Sequence, residues 1–167
     1  MATFIKISTI TVGAGGAASI DFTSIPATYT DLKIVCSLRS ATNQWANLQF
    51  NGSSADLTLR YLMNNSGTVS SSSGSSPSLW TMFPVPPNTY TANTFGSAEI
   101  YIPNYASANY KSVSIEGVEE NNSASNFQLL TALLWSQTAA INRVVINNAY
   151  GNFMEFSSAT LYGIKSS

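Results

Sequence analysis

Apolar and polar residues alternate with a two-residue period through much of this chain, the period of a β-strand with one buried face. In residues 31–39, Leu32, Ile34, Cys36 and Leu38 fall on one face. Lys33, Ser37 and Arg39 fall on the other, and Val35 is the only apolar residue out of register. Ala46, Leu48 and Phe50 alternate with Trp45, Asn47 and Gln49. Leu57, Leu59, Tyr61 and Met63 alternate with Thr58, Arg60 and Leu62. Asn51-Gly52 stands between these two runs, and both residues tolerate positive φ. The pattern predicts a hairpin over residues 45–63 with its loop at 51–56.

Strands are also predicted near 4–12 and 19–22, joined by the glycine-rich turn at 13–16, with Pro26 ending that piece. Residues 64–78 are rich in Ser, with Val69 the only apolar anchor, and read as a long exposed loop insertion. The run WTMFPVPP at 80–87 is too broken by Pro84, Pro86 and Pro87 to be a central strand. Ala98, Ile100 and Ile102 alternate, as do Val113 and Ile115, and EGVEENN at 116–122 reads as a turn. FQLLTALLW at 127–135 is apolar almost throughout; it fits a buried strand or a helical turn, and Thr131 and the short length favour the strand. Residues 141–146, 153–156 and 159–164 complete the set. Roughly eight to ten short strands with turn signals about every 8–12 residues imply an all-β sandwich or barrel. Long connections favour a jelly roll over an up-and-down barrel. The expected architecture is one antiparallel β-sandwich domain, jelly-roll-like, spanning residues 1–167.

Composition narrows the function. The 167 residues suit one core. Charged residues are 9% of the chain, against roughly 25% in an average domain, and Ser, Thr and Asn take their place. Such a surface suits close, uncharged contacts. With a net charge of -1 and no basic patch, electrostatically driven nucleic-acid binding is not expected. Lys6, Lys33, Arg39, Arg60, Lys111, Arg143 and Lys165 are scattered and read as a solvated face. Cys36 is the only cysteine, so no internal disulfide forms, and its apolar register implies a buried structural thiol. The N-terminal residues lack a signal-peptide h-region and no stretch approaches a membrane-spanning helix, so a soluble chain made in a cytoplasm is expected.

Catalytic chemistry is scarce. The chain has no His, which removes the commonest general base and metal ligand. Glycoside hydrolysis would need two facing carboxylates, from Asp21, Asp31, Asp56, Glu99, Glu116, Glu119, Glu120 and Glu155. Glu119 and Glu120 are adjacent, but strand neighbours point to opposite faces, and their context reads as a solvated loop. The same loop could offer Ca²⁺ carboxylate and Asn oxygens, yet no EF-hand spacing supports a metal. Residues 13–16 lack a P-loop lysine. The triplets at Asn51, Asn64 and Asn121 match the glycosylation pattern, which means little without a secretory signal. The expectation is a non-enzymatic chain with no catalytic residue, metal or cofactor. Two features point to binding. Trp45, beside Asn47 and Gln49 on the polar face of its strand, suits a sugar ring or a subunit interface; the alternative is packing under a loop or the second sheet. The aromatic, proline-rich run with Trp80 and Phe83, together with Tyr90 and Phe95, suits an arm across a neighbouring subunit; the alternative is a loop covering its own sheet.

The run ITVGAGGAASIDFTSIPATYTDLKIVCSLR at 10–39 resembles the opening of small bacteriophage virion proteins found in phages of aquatic bacteria. The resemblance continues through NGS at 51–53, Arg60-Tyr61-Leu62, IPNYAS at 102–107, KSVSIEG at 111–117 and SSATLYGIK at 157–165. It implies a β-sandwich in a virion, either a capsid-decorating cement or head-fibre subunit or a tail-fibre or spike component. Such subunits are commonly trimers. The expected function is a cement subunit made in the host bacterial cytoplasm that binds itself, as a trimer, and the major capsid protein or other virion proteins, reinforcing the shell. WTMFPVPP and FQLLTALLW would then bury against neighbours. The alternative is a tail-fibre or receptor-binding module that holds host surface carbohydrate. Neither nucleic acid nor membrane is an expected partner.

Overall fold

The computed structural model describes residues 2–42, 44–75 and 82–165. All regular structure in them is strand: β1 (Thr3–Thr11), β2 (Ser19–Phe22), β3 (Asp31–Leu38), β4 (Trp45–Phe50), β5 (Leu57–Asn65), β6 (Thr68–Ser75), β7 (Phe83–Pro84), β8 (Gly96–Ile102), β9 (Lys111–Glu119), β10 (Phe127–Trp135), β11 (Val144–Asn148) and β12 (Ser158–Lys165). Among the described residues no helix is long and apolar enough to cross a membrane. Strands pair antiparallel in two sheets, one ordered β1-β12-β3-β8-β9-β10-β5-β6 and the other β2-β11-β4-β7. With β5–β6 and β9–β10 set aside, the remaining eight strands in chain order form sheets 1-8-3-6 and 2-7-4-5. This double Greek key is the jelly roll, and the molecule is a single-domain β-sandwich. The two extra hairpins lengthen one sheet to eight strands while the other keeps four.

The two-residue period explains which face each strand buries. Leu32, Ile34, Cys36 and Leu38 of β3, and Ala46, Leu48 and Phe50 of β4, meet in one core between the sheets. Cys36 is a free, buried thiol, as its register implied, and burial pushes its pKa up to about 12. Phe50 of the small sheet reaches Trp135 of the large one, with ring centroids 5.5 Å apart.

Several local expectations are corrected. Residues 45–63 do not form a hairpin, because β4 and β5 belong to different sheets. The tight turn itself forms: Asn51 and Gly52 have φ of 53° and 80°, and Phe50 and Ser53 exchange two backbone hydrogen bonds of 3.0 Å. The chain then leaves the small sheet, since Leu57 and Leu59 must bury their side chains from the opposite side of the core. The Ser-rich loop expected at 64–78 is largely strand. β6 pairs with β5 from Thr68↔Asn65 to Ser75↔Thr58, around a turn at Ser66 and Gly67. Its backbone supplies the ladder, and its hydroxyls suit an exposed sheet edge, where apolar side chains would invite aggregation. Residues 76–78 lie outside the described residues. The turn expected at 116–122 begins later, because β9 continues through Glu119. Arg39 and Lys111 are not solvated, at 4% and 1% exposure. Backbone carbonyls surround both cations, which is how a buried charge is tolerated. Lys111 Nζ donates to the carbonyls of Ser107, Gln137 and Ala139 and lies 5.4 Å from the Trp135 ring centroid.

Candidate functional site

Two regions carry unusual chemistry: one end of the sandwich, where β4, β9, β10 and the segment after β7 meet, and the outer face of the eight-stranded sheet.

Glycines shape the first. A Cβ at Gly117 would stand 2.7 Å from Pro84 Cδ and 2.8 Å from Phe83 Cβ; one at Gly96 would stand 2.7 Å from Pro86 Cδ. The proline-rich segment therefore lies directly on β9 and β8, at the only residues without side chains to block it. Arg39 pins the loop that follows. Its Nη1 donates to the carbonyls of Thr91 and Thr94 at 2.9 and 2.6 Å, and its Nη2 to those of Asn88 and Tyr90 at 3.3 and 3.2 Å. Tyr90, half-buried, donates its hydroxyl to Gln44 Oε1 at 2.9 Å and shares a 2.7 Å hydrogen bond with Ser125 Oγ. The loops before β4, after β7 and before β10 are thereby tied together.

Glu119 lies two residues beyond Gly117 on the same face, opposite Phe127 of β10. It is 2% exposed, and both carboxylate oxygens lack a hydrogen-bond partner among the described residues. Asn121 is equally buried; its amide donates to Ser125 O at 2.6 Å, but its Oδ1 is also without a partner. Burial pushes the Glu119 pKa up to about 8. Loss of solvent disfavours the charged form, and no neighbouring donor restores it. Glu119 is thus not the solvated loop carboxylate its acidic context suggests. Glu120, the next residue, is exposed, and its Oε1 accepts from Asn122 N at 2.7 Å.

The structure brings together only some of the residues singled out from the sequence. Trp45 is half-buried, its ring meeting that of Phe127 edge-on, with centroids 5.1 Å apart and planes at 69°. It thus packs against the second sheet and not on an open polar face. Asn47 is 9% exposed and accepts from Asn147 Nδ2 at 3.3 Å, and Gln49 is half-buried in register with Val145. Neither amide joins Trp45 in an open platform. Phe83 is fully buried. From Met82 to Pro87 every residue is buried, so the described part of this segment covers its own sheet. Trp80 lies outside the described residues. Tyr90 stands at the same end as Trp45, engaged with Gln44 and Ser125.

The outer face of the large sheet carries half of the FQLLTALLW run that the virion resemblance would bury against neighbours. Strand β10 alternates buried and exposed residues, so Gln128, Leu130, Ala132 and Leu134 point outward. Leu130 stands between Leu62 of β5 and Glu116 of β9. Leu62 is 52% exposed, Leu130 55% and Val69 68%. With Val118, Glu116, Asn64 and Gln128 they line an open groove of about 550 Å³. Val35, Tyr101 and Leu134 extend the apolar character along the same face. The charges on it are Lys6, Asp31, Lys33, Arg60, Glu99 and Glu116: Glu99 pairs with Lys33 at 2.7 Å and stands directly opposite Glu116, while Arg60 and Glu116 stand on either side of β10. The signal in the sequence was the apolar residues out of register, Val35, Leu62, Leu130 and Leu134. Residues 127–135 read as an almost continuous apolar run, and only the second apolar set in it faces solvent.

Compared with protein families, with curated proteins and with solved structures, the chain finds no match.

Proposed function

We propose that this protein is a non-catalytic structural subunit of a bacteriophage virion, a cement-type protein that assembles on the capsid and makes protein contacts through the outer face of its eight-stranded sheet. The observation that carries this reading is the exposed Leu62–Leu130 pair with Val69 and Val118 on the outer face of the large sheet. A contiguous apolar patch on an otherwise polar surface marks a contact with another macromolecule. Jelly rolls serve as capsid and lectin domains alike, so the fold agrees with the reading without selecting it. Many modest contacts repeated by lattice symmetry give firm attachment without any one strong site. The likeness of residues 10–39 and 157–165 to small virion proteins supports the same placement. Carbohydrate recognition has less support, because the Trp45 ring is engaged by Phe127 and its neighbouring amides are largely covered.

The test is to purify particles of the phage that encodes the chain on a density gradient and probe each fraction for it. It should band with the particles and stay with them through a high-salt wash, since apolar contact is not screened. Recovery only from the soluble lysate would overturn the proposal.

A further inference from the structure

We infer that the outer face of the large sheet is a self-contact: a second copy of this chain docks on it about a two-fold axis. The inference rests on reading this face as the molecule's contact surface and names the occupant. Three observations select a second copy.

The first is area. The five strands at one side of the sheet, β8, β9, β10, β5 and β6, about 4.8 Å apart and each rising about 3.4 Å per residue over seven to nine residues, present a face of roughly 650 Å². That is at the low end of the share one partner contributes to a stable interface. The second is charge. Across β5, β10 and β9, Arg60, Ala132 and Ser114 form one row, and Leu62, Leu130 and Glu116 form the next. Arg60 and Glu116 are therefore diagonal neighbours, two strands apart, with the midpoint on β10 between Ala132 and Leu130. A two-fold axis lying in the interface over that midpoint exchanges the two positions. Arg60 of each copy then meets Glu116 of the other, and Leu62 of each lies over Leu130 of the other. The face is complementary to itself, as an isologous contact requires. The third is the absence of conflict. Glu99 is already held by Lys33, and the same operation lays it over the Thr58 end of β5, which is uncharged.

Sedimentation equilibrium on the full chain tests this, with far-UV circular dichroism confirming that each variant folds. The native chain should sediment as a concentration-dependent dimer. Leu130→Asn, at an exposed position, should leave a folded monomer. Arg60→Glu and Glu116→Arg should each raise the dimer dissociation constant by roughly tenfold or more, and the double variant should bring it back to near the native value. A native chain that is monomeric throughout, single charge reversals without effect, or a double variant that is not rescued would each overturn the inference. A monomer that still bands with particles would overturn the self-contact alone. A dimer absent from particles would overturn the virion reading alone.

Discussion

At Glu119 burial removes the water a carboxylate needs, and no donor among the described residues replaces it. Its pKa is raised in the fold to about 8 from an ordinary 4.5. Between those values the folded chain holds a proton that the unfolded chain has released. The stabilisation belonging to the protonated form is complete below the unfolded value and is lost as pH rises through about 8. Glu119→Gln removes this dependence and keeps the shape. The variant should therefore match the native chain near pH 5 and exceed it near pH 8 by on the order of a few kcal/mol, measured by urea denaturation at both values. Equal pH slopes for the two proteins would contradict the assignment. Glu120→Gln, at an exposed position, should change neither. Charge pattern could not separate these neighbours: the sequence shows two acids in a polar run, and only the extra length of β9 decides which one turns inward.

Among the elements, β7 has only two residues, yet it closes the small sheet and lies against β9. Its seat is Gly117, where any side chain would collide with Phe83 and Pro84. Gly117→Val should cost about 1–3 kcal/mol by overpacking, read as a lower denaturation midpoint; an unchanged midpoint would show that the segment is not held there. Arg39→Met should lose about 2–4 kcal/mol through the carbonyls it leaves unserved, with faster hydrogen exchange in residues 88–95. Unchanged exchange in that loop would rule out the pinning role. Strand positions were largely legible, because each strand buries one face and the period survives in the residues. Pairing was less so. Asn51-Gly52 makes its turn, but a turn does not say which sheet the next strand joins. β6 was invisible because Ser hydroxyls carry no periodic signal, while backbone hydrogen bonds form all the same.

At the scale of the molecule, the two inserted hairpins are what the jelly roll does not require. They widen one sheet beyond the other and present Leu62, Val118 and Leu130 to solvent. Legibility of the site was partial for a physical reason. An apolar residue out of register looks the same in sequence whether it packs under a second layer or faces a partner, and FQLLTALLW contains both kinds. Trp45 misled in the opposite sense: it stands on the polar register of β4 but is caught by Phe127 of the wider sheet. Leu62→Asn combined with Leu130→Asn should leave folding intact, abolish the pairing of copies and, with each copy then attached singly, reduce retention on particles, measured by quantitative blotting of gradient-purified virions; full retention of the monomeric variant would show that pairing does not contribute to attachment. The most direct measurement of the central claim is the number of copies per particle, by quantitative mass spectrometry against the major capsid protein. A ratio near one to one, or a simple symmetry fraction of it, is the result this account predicts. A ratio far below any lattice fraction, or absence from the particle, would contradict it.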